Sequence, residues 1–250
     1  MRRPRIHTPQ PLCSGERLEL EEGAARHLLQ VLRLQRGAPL TLFNGDGDEY
    51  AAQISDTSRR RVEVRVGASL DPEPEPALRI HLGLGISKGE RMDFAVQKAT
   101  ELGVDAITPL LTERCVVRLN HQRMAKRLDH WRQIAIAACE QCGRARLPRI
   151  HDTLDLGAWL DATAPTPGVL LDHRAAGTLG RLPPPGSGVR LLVGPEGGLS
   201  EPERQRAGEH GLTGIRLGPR VLRTETAPLA AIAAMQTLWG DFRQPDPGVS

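Results

Sequence analysis

The residues after position 77 alternate between short apolar runs and helix patterns, and this alternation limits the possible folds more than any other feature. Apolar runs with the length of buried strands occur at LRIHLGLGI, VDAITPLL, GVLLDH, VRLLVG and GIRLG. Helix patterns occur at GERMDFAVQKATELG, QRMAKRLDHWRQIAIAACEQCG and APLAAIAAMQTLWG. Strands that alternate with helices predict a mostly parallel sheet covered by helices, because parallel neighbours need long crossover connections. We therefore expect an α/β domain here.

The first part of the chain is β-rich instead. APLTLFNGDGDEYAAQI predicts a hairpin, since its NGDG segment is a turn signal between two apolar runs. In RRRVEVRV, Val62, Val64 and Val66 alternate with charged residues, which is typical of a half-buried strand. EEGAARHLLQVLR predicts one short helix between strands. A small β-barrel with one helix fits this pattern.

A proline-rich acidic segment, DPEPEPA, separates the two parts. Proline alternating with acidic residues favours an extended, solvated linker. We therefore expect a first domain at 1–71, a linker at 72–77 and a second domain at 78–250. A chain of 250 residues is long enough for two such domains.

Composition limits the class of protein further. The chain is 39% hydrophobic, which is enough for a core, although aromatic residues make up only 3%. No apolar run reaches the length of a membrane span, and the basic start lacks the apolar stretch of a signal peptide. We therefore expect a cytoplasmic protein without a membrane segment. The net charge of +3 is a weak indication of a polyanionic partner, because the many arginines also fit a GC-rich coding bias.

Two of the four cysteines, Cys139 and Cys142, have the spacing of metal ligands. A zinc site of this type usually needs a second pair, and the sequence has none. Both cysteines end a helix pattern, where small apolar residues commonly pack. We therefore expect cysteines of the core or surface and no metal.

Two glycine-containing loops are the strongest functional signal. LLVGPEGGLSEPE and LGPRVLRTETAPLAAI each run from a strand pattern into a helix, where open α/β sheets bind ligands. Glycine there lets the backbone approach a ligand closely, although it is also common in simple tight turns. One loop alone favours the simple turn, whereas two similar loops favour a site.

The type of ligand is narrowed by what the loops contain. Neither has the Gly-Lys-Ser/Thr of a phosphate loop, and GLGISKG lacks the spacing of a dinucleotide fingerprint. Glu196 and Glu225 disfavour a polyanion in the loops. They suit a ligand that is cationic or donates hydrogen bonds.

Both loops resemble the signature loops of the SPOUT superfamily of S-adenosylmethionine-dependent RNA methyltransferases. More closely, the chain resembles the small subunit ribosomal RNA methyltransferase E family, which methylates N3 of a uridine in 16S rRNA. The resemblance covers nearly the whole chain, including RHLLQVLRLQRG, ISKGERMDFAVQKATELGVDAITPL, ERCVV, WRQIAIAACEQCGR and LPRI. One departure is Pro228, where the family is expected to have a small or polar residue. It lies near a helix start, where proline is tolerated.

The resemblance implies a PUA-like β-barrel that binds RNA, followed by a SPOUT α/β domain with a deep C-terminal trefoil knot. It also implies S-adenosylmethionine as cofactor, a homodimer with its site at the interface, and 16S rRNA within the small ribosomal subunit as partner. The residues that it assigns to the cofactor are Gly194, Pro195, Glu196, Gly197 and Gly198 on one wall, Leu217, Gly218, Val221, Leu222 and Thr224 on the other, and Leu171 near the adenine.

Methylation at uridine N3 requires that the N3 proton leave, so the reaction needs a base or a cation that stabilises the deprotonated ring. Arg223 and Glu225 are the nearest candidates. Arg223 would hold the anionic uracil oxygens, or contact a phosphate or the protein itself. Glu225 would act as the base, or only cap the following helix, which we favour. No motif identifies the base.

For RNA, residues 113–149 hold nine Arg or Lys and three acidic residues, a balance that suits phosphates. A solvated helix face explains most of these arginines equally well. Arg5 and Arg33 in the first domain are the other predicted RNA contacts. The alternatives in function are a non-catalytic RNA-binding protein with the same fold and a related enzyme that acts on another RNA. The intact glycine loops argue against the first.

Overall fold

The computed structural model describes residues 3–115 and 120–243. The chain divides into two compact units, Met1–Glu75 with Ile136–Leu147, and Pro76–Ala135 with Pro148–Ser250. The structure thus groups residues 136–147 with the first unit. The domain bounds 1–71 and 78–250 and the linker at 72–77 stay predictions of the sequence.

The first unit contains a five-stranded sheet in the order β1-β3-β4-β5-β2. Among the strands that the structure describes in this sheet, β1 and β3 pair in parallel and the other neighbours are antiparallel. The predicted hairpin is confirmed, since β3 and β4 are antiparallel and Phe43 lies opposite Glu49. The predicted alternation is confirmed as well, because the three valines of β5 are buried in the core of this unit. The strands are β1 Arg5–His7, β2 Arg17–Glu19, β3 Pro39–Phe43, β4 Glu49–Thr57 and β5 Val62–Ser69.

The predicted short helix is present, but its second half has a different winding. α1 (Glu22–Arg26) continues into a π-helical turn at His27–Val31. Arg33 follows with a φ of 53°, a conformation that is uncommon outside glycine.

The end of the long helix α3 (His121–Cys142) belongs to the first unit from Ile136 onward. Cys139 is fully buried there beside Phe43 and Ala145. Burial raises the pKa of the Cys139 thiol to about 12, and nearby charges contribute less. The group is therefore a protonated thiol at neutral pH and packs as a small apolar side chain.

The second unit contains a parallel sheet in the order β12-β10-β11-β6-β7-β8, and β9 also pairs with β7. Each recorded pairing in this sheet is parallel, which confirms the expected α/β architecture. The strands are β6 Arg79–Gly85, β7 Ala106–Leu111, β8 Arg149–Ile150, β9 Leu154–Asp155, β10 Gly168–Leu171, β11 Gly188–Val193 and β12 Leu212–Ile215.

Helices cover this sheet through apolar faces. α2 buries Met92 and Ala95, and α6 buries Ile232 and Met235 in the same core. A capping box with reciprocal hydrogen bonds between Ser200 and Glu203 starts α5. The helices are α2 Glu90–Glu101, α4 Leu156–Thr163, α5 Glu201–Glu209 and α6 Thr226–Trp239.

The helix α4 was not predicted, although its sequence contains a capping residue and apolar residues at helical spacing. The side chain of Asp155 caps its start by accepting a hydrogen bond from the backbone N–H of Ala158 at 2.9 Å. Leu156, Trp159 and Leu160 are buried at helical spacing. The helix has only eight residues, which is too short for a clear period.

The parallel order brings the carboxyl ends of neighbouring strands to one edge of the sheet, and both glycine loops begin there. The β11 loop passes so close to β6 that a Cβ at Gly85 would lie 2.5 Å from Pro195. Gly85 therefore allows this approach. Within the two described ranges, every helix is too short or too polar to span a lipid bilayer.

Candidate active site

A cavity of about 390 Å³ opens at the carboxyl edge of the parallel sheet. Three segments that follow neighbouring strands form most of its wall. They are residues 170–174 from the end of β10 onward, 193–199 from the end of β11 onward and most of 215–227 from the end of β12 onward. A cavity of this size fits a small-molecule ligand.

The structure brings the predicted cofactor and catalytic residues to this cavity, with one exception. Gly218 is not among the lining residues; its φ is 71°, and no atom lies within 4 Å of the position that a Cβ would take. Glycine suits this position because of the positive φ angle, and not because a neighbouring atom leaves no room for a side chain. The predicted residues that line the cavity are Leu171, Gly194, Pro195, Glu196, Gly197, Gly198, Leu217, Val221, Leu222, Arg223, Thr224 and Glu225.

Thr224 joins the two glycine loops. Its hydroxyl donates a hydrogen bond to the carbonyl oxygen of Gly194 at 3.1 Å. The hydroxyl oxygen of Thr224 also lies 3.3 Å from the hydroxyl oxygen of Ser87, which follows β6. Three strand ends are therefore tied together beside the cavity.

Glu196 is already paired within the protein. Its carboxylate accepts hydrogen bonds from the backbone N–H of Lys88 and from the Arg91 guanidinium, both at 3.0 Å. Burial acts to raise the pKa of Glu196, but the hydrogen bonds and the positive charge of Arg91 outweigh it, so the pKa lies below its usual range. Glu196 is therefore anionic at neutral pH and holds the β11 loop against the start of α2.

Glu225 occupies the N-cap position of α6, but its side chain makes no capping hydrogen bond. The favoured role of this side chain as a cap is therefore not what the structure shows. Its Oε2 is buried without a hydrogen-bond partner among the described residues and lies 3.9 Å from Nε of Arg91. A buried carboxylate oxygen without a donor is costly, so this atom is available to a ligand that donates a hydrogen bond.

Arg223 combines a fixed backbone with a free side chain. Its carbonyl oxygen accepts from the backbone N–H groups of Thr226 and Ala227, both at 2.9 Å. Its side chain is exposed and forms no ion pair or hydrogen bond with the residues that the structure describes. The guanidinium therefore faces the cavity without a structural partner.

The loop after β7 contributes a residue that sequence reasoning did not assign to the site. Arg114 donates to the carbonyl oxygen of Gly197 at 3.1 Å. The buried Glu203 accepts from the backbone N–H groups of Glu113 at 2.8 Å and Ser200 at 2.7 Å. This loop is therefore held against the β11 loop. The ERCVV motif continues into residues 116–119, which lie outside the described residues.

The two arginines predicted to bind RNA differ in their surroundings within the first unit. The Arg5 side chain is 9% exposed, forms an ion pair with Glu49 and donates to the carbonyl oxygen of Arg144 at 2.9 Å. Its guanidinium also lies 5.0 Å from the ring centre of Phe43. These contacts favour a structural role. Arg33 is exposed and remains available to a partner.

Part of the basic segment at 113–149 is also used within the protein. Arg132 pairs with Asp129 at 3.0 Å and with Asp152 at 3.1 Å. Arg146 pairs with Glu75 at 3.1 Å. These arginines are thus partly neutralised.

Comparison with known proteins agrees with this arrangement. Residues 73–236 match the family model of an RNA methyltransferase domain, and residues 20–67 match that of an RNA methyltransferase PUA domain. The chain is 35% identical over 240 residues to ribosomal RNA small subunit methyltransferase E of Buchnera aphidicola from Schizaphis graminum, covering 96% of this chain and 98% of that protein.

Two solved structures are similar over 96% of this chain and 100% of theirs. One is a Legionella pneumophila methyltransferase in complex with S-adenosylmethionine, with a TM-score of 0.93 and 41% identity. The other is ribosomal RNA small subunit methyltransferase E of Neisseria gonorrhoeae bound to S-adenosylmethionine, with a TM-score of 0.89 and 42% identity. The described fold and these matches together show that the chain belongs to the ribosomal RNA small subunit methyltransferase E family.

Proposed function

We propose that this protein transfers a methyl group from S-adenosylmethionine to N3 of a uridine in 16S rRNA. The observation that carries the proposal is the meeting of both glycine loops at one cavity on the carboxyl edge of the sheet. Two solved relatives with similar chains bind S-adenosylmethionine. The name that the curated relatives share supplies the small subunit ribosomal RNA as substrate.

The cavity suits this cofactor in size and in chemistry. Residues 194–198 contribute three glycines to the wall, residues 217 and 220–224 form the opposite side, and Leu171 adds an apolar surface for the adenine. Glu225 offers a buried oxygen without a donor. When it is bound there, S-adenosylmethionine supplies an electrophilic methyl group. The protein contributes orientation and exclusion of water.

Arg223 and Glu225 have separate roles in this proposal. The free guanidinium of Arg223 stabilises the negative charge on the uracil oxygens as N3 loses its proton. The Oε2 atom of Glu225, which lacks a hydrogen-bond donor among the described residues, would accept that proton. The N3 lone pair would then bond to the methyl carbon while the bond from that carbon to the sulfonium sulfur breaks, which leaves a neutral thioether. Support for this division is that Arg223 lacks a structural partner and that Glu225 does not cap its helix.

The finer features of the assembly belong to the same proposal. The C-terminal segments form a deep trefoil knot, the first unit closes into a PUA-like barrel that binds RNA, and two chains form a homodimer. The dimer is supported by exposed apolar side chains near the C-terminus, namely Val221, Leu238 and Phe242, which are 74%, 41% and 51% exposed. The protein acts in the cytoplasm on rRNA of the small ribosomal subunit.

Mass spectrometry of nucleosides tests this function. In 16S rRNA from a strain that lacks the gene, we expect 3-methyluridine to be missing at one position. Purified protein with S-adenosylmethionine should restore it in small subunits from that strain. The proposed substrate would be contradicted if 3-methyluridine persisted in the 16S rRNA of the deletion strain, or if the purified protein formed it only in another RNA. Binding of the subunit without methylation would favour the non-catalytic alternative.

A further inference from the structure

The cavity has a surplus of positive charge, since seven arginines line it together with only three carboxylates. The arginines fall into two groups. Three arginines form the first group, which is engaged with the protein. Arg91 pairs with Glu196 at 3.0 Å, and Arg204 pairs with Asp172 at 3.4 Å. Arg114 donates to the carbonyl oxygen of Gly197. The seven are Arg91, Arg114, Arg174, Arg204, Arg216, Arg220 and Arg223.

The second group includes three arginines on the loops after β10 and β12, which we call the arginine rim: Arg174, Arg216 and Arg220. Each is exposed, and none of their guanidinium groups has an ion pair or hydrogen bond with the described residues. Arg223 shares this property but has a role in the proposed reaction. The rim is therefore positive charge that the fold does not use.

The backbone that carries two of the rim arginines is fixed. The N–H of Asp172 donates to the carbonyl oxygen of Ile215 at 2.9 Å, and the N–H of Arg216 donates to that of Gly177 at 3.0 Å. The N–H of Arg174 donates to the Asp172 carboxylate at 3.0 Å. Arg174 and Arg216 thus project from two segments that hydrogen bonds hold together.

The charge of the rim does not fit the methyl donor. S-adenosylmethionine has a sulfonium and an ammonium group, and its single carboxylate balances only one of them. A cluster of unpaired guanidinium groups would repel such a ligand, whereas it attracts an anion. The rim therefore points to a second, negatively charged ligand at the same cavity.

We infer that the arginine rim binds the phosphodiester backbone of RNA beside the nucleotide whose base enters the cavity. This inference rests on the proposed function, because it concerns the substrate of the same site. Guanidinium groups bind phosphate oxygens through two parallel hydrogen bonds, which fixes the strand without reading its sequence. Among the described residues that line the cavity there is no Phe, Tyr or Trp, and His173 is the one aromatic ring, so guanidinium groups far outnumber rings on which a base could stack.

Salt dependence of RNA binding tests the rim. The full-length protein is titrated into a labelled single-stranded RNA oligonucleotide of mixed sequence at several salt concentrations. Each phosphate contact contributes about 0.7 to the slope of log affinity against log salt for a single strand. Replacing all three rim residues by Ala should therefore lower the magnitude of the slope by about 2.

Two matched controls accompany this variant. Replacing the same three residues by Lys should keep the slope, since Lys retains the charge. Arg181→Ala, which removes an exposed arginine outside the cavity, should leave the slope unchanged. Affinity for S-adenosylmethionine should not fall in any of them, because the rim does not attract the methyl donor.

An unchanged slope in the Ala variant would overturn the inference, and so would a loss of RNA binding in the Lys variant equal to that in the Ala variant. The proposed function is judged separately, by whether the wild-type protein forms 3-methyluridine. If the wild type methylates RNA and the slope of the Ala variant is unaltered, only the role of the rim in RNA binding is refuted. If the slope of the Ala variant is reduced but the wild type forms no 3-methyluridine, the proposed reaction is refuted and the rim remains an RNA contact.

Discussion

At the scale of single residues, the proposed role of Arg223 predicts a change in pH dependence. Arg223→Ala should lower the single-turnover rate of methylation far more than it lowers RNA affinity, because the charge on the deprotonated uracil loses its partner. Raising the pH should partly restore the rate, since more N3 is deprotonated without help. Rates are measured against pH for the wild type, for Arg223→Ala and for Arg181→Ala as control. Parallel profiles with a small loss would leave Arg223 as a positioning residue.

The residues of the cavity also show which parts of the site are predictable from sequence. The predicted residues of both loops come from two contiguous stretches, and the structure brings all but Gly218 to one cavity. Arg91 and Arg114 were missed because they lie outside both loops and reach the site only through the strand order. Arg5 shows the opposite limit: an arginine in a sequence does not reveal that its side chain will be buried against Glu49. The ligand roles of these residues stay predictions.

Elements were predictable where their patterns were long or their turn residues distinctive. The β3–β4 hairpin, the capping box of α5 and the strands of the parallel sheet follow from such signals. The two-residue strands β8 and β9 gave no pattern, because their pairing with β7 depends on distant residues. The winding change within the first helix was also unpredictable, since π-helical turns have no strong sequence signature.

His81 in β6 should make the stability of the protein depend on pH. In β6, Nε2 of His81 lies 3.4 Å from the indole nitrogen of Trp159 and 2.8 Å from the Thr108 hydroxyl. The indole N–H can only donate, so Nε2 accepts and lacks a proton. Burial, then the charges of His151 and Arg190, lower the pKa of His81 from 6.5 to about 4.

Because the unfolded chain binds this proton more readily, acid favours unfolding. Stability should fall as the pH decreases from 6.5 towards 4, by a total of about 3 kcal/mol from this group. His81→Phe should flatten the dependence in this window. Urea unfolding at several pH values measures it for both proteins. An equal slope in wild type and variant would show that other groups cause the pH dependence.

At the scale of the whole molecule, the sequence predicted the two classes of fold, and the family models match each part. It did not reveal that residues 136–147, at the end of α3, group with the first unit. A single helix pattern runs through that boundary, so nothing in the periodicity marks it. The trefoil knot and the dimer stay proposals that rest on the resemblance.

The dimer makes a direct prediction for the whole molecule. Light scattering should give twice the chain mass of 27.3 kDa at micromolar concentration. Leu238→Glu, on the exposed side of α6, should shift the mass towards the monomer, because a charge there cannot be buried without a partner. Leu70→Glu changes a leucine of similar exposure in the first unit and should leave the dimer intact. A monomeric wild type would refute the dimer.

The central claim is that the cavity between the two glycine loops holds the methyl donor, and two glycines with nearly equal positive φ angles allow a matched test. Gly198 lines the cavity with a φ of 66°, and Gly186 lies outside it with a φ of 72°. A Cβ at either position would meet no atom within 4 Å. Replacing either by Val should therefore cause similar strain, about 1–3 kcal/mol.

Isothermal titration calorimetry of S-adenosylmethionine into the wild type, Gly198→Val and Gly186→Val is the most direct measurement. We predict one bound molecule per chain for the wild type and for Gly186→Val, and a large loss of affinity for Gly198→Val, whose side chain occupies space at the cavity wall. Thermal unfolding should show that both variants are folded and similarly destabilised. Wild-type affinity in a folded Gly198→Val, or no binding by the folded wild type up to millimolar donor, would contradict the account.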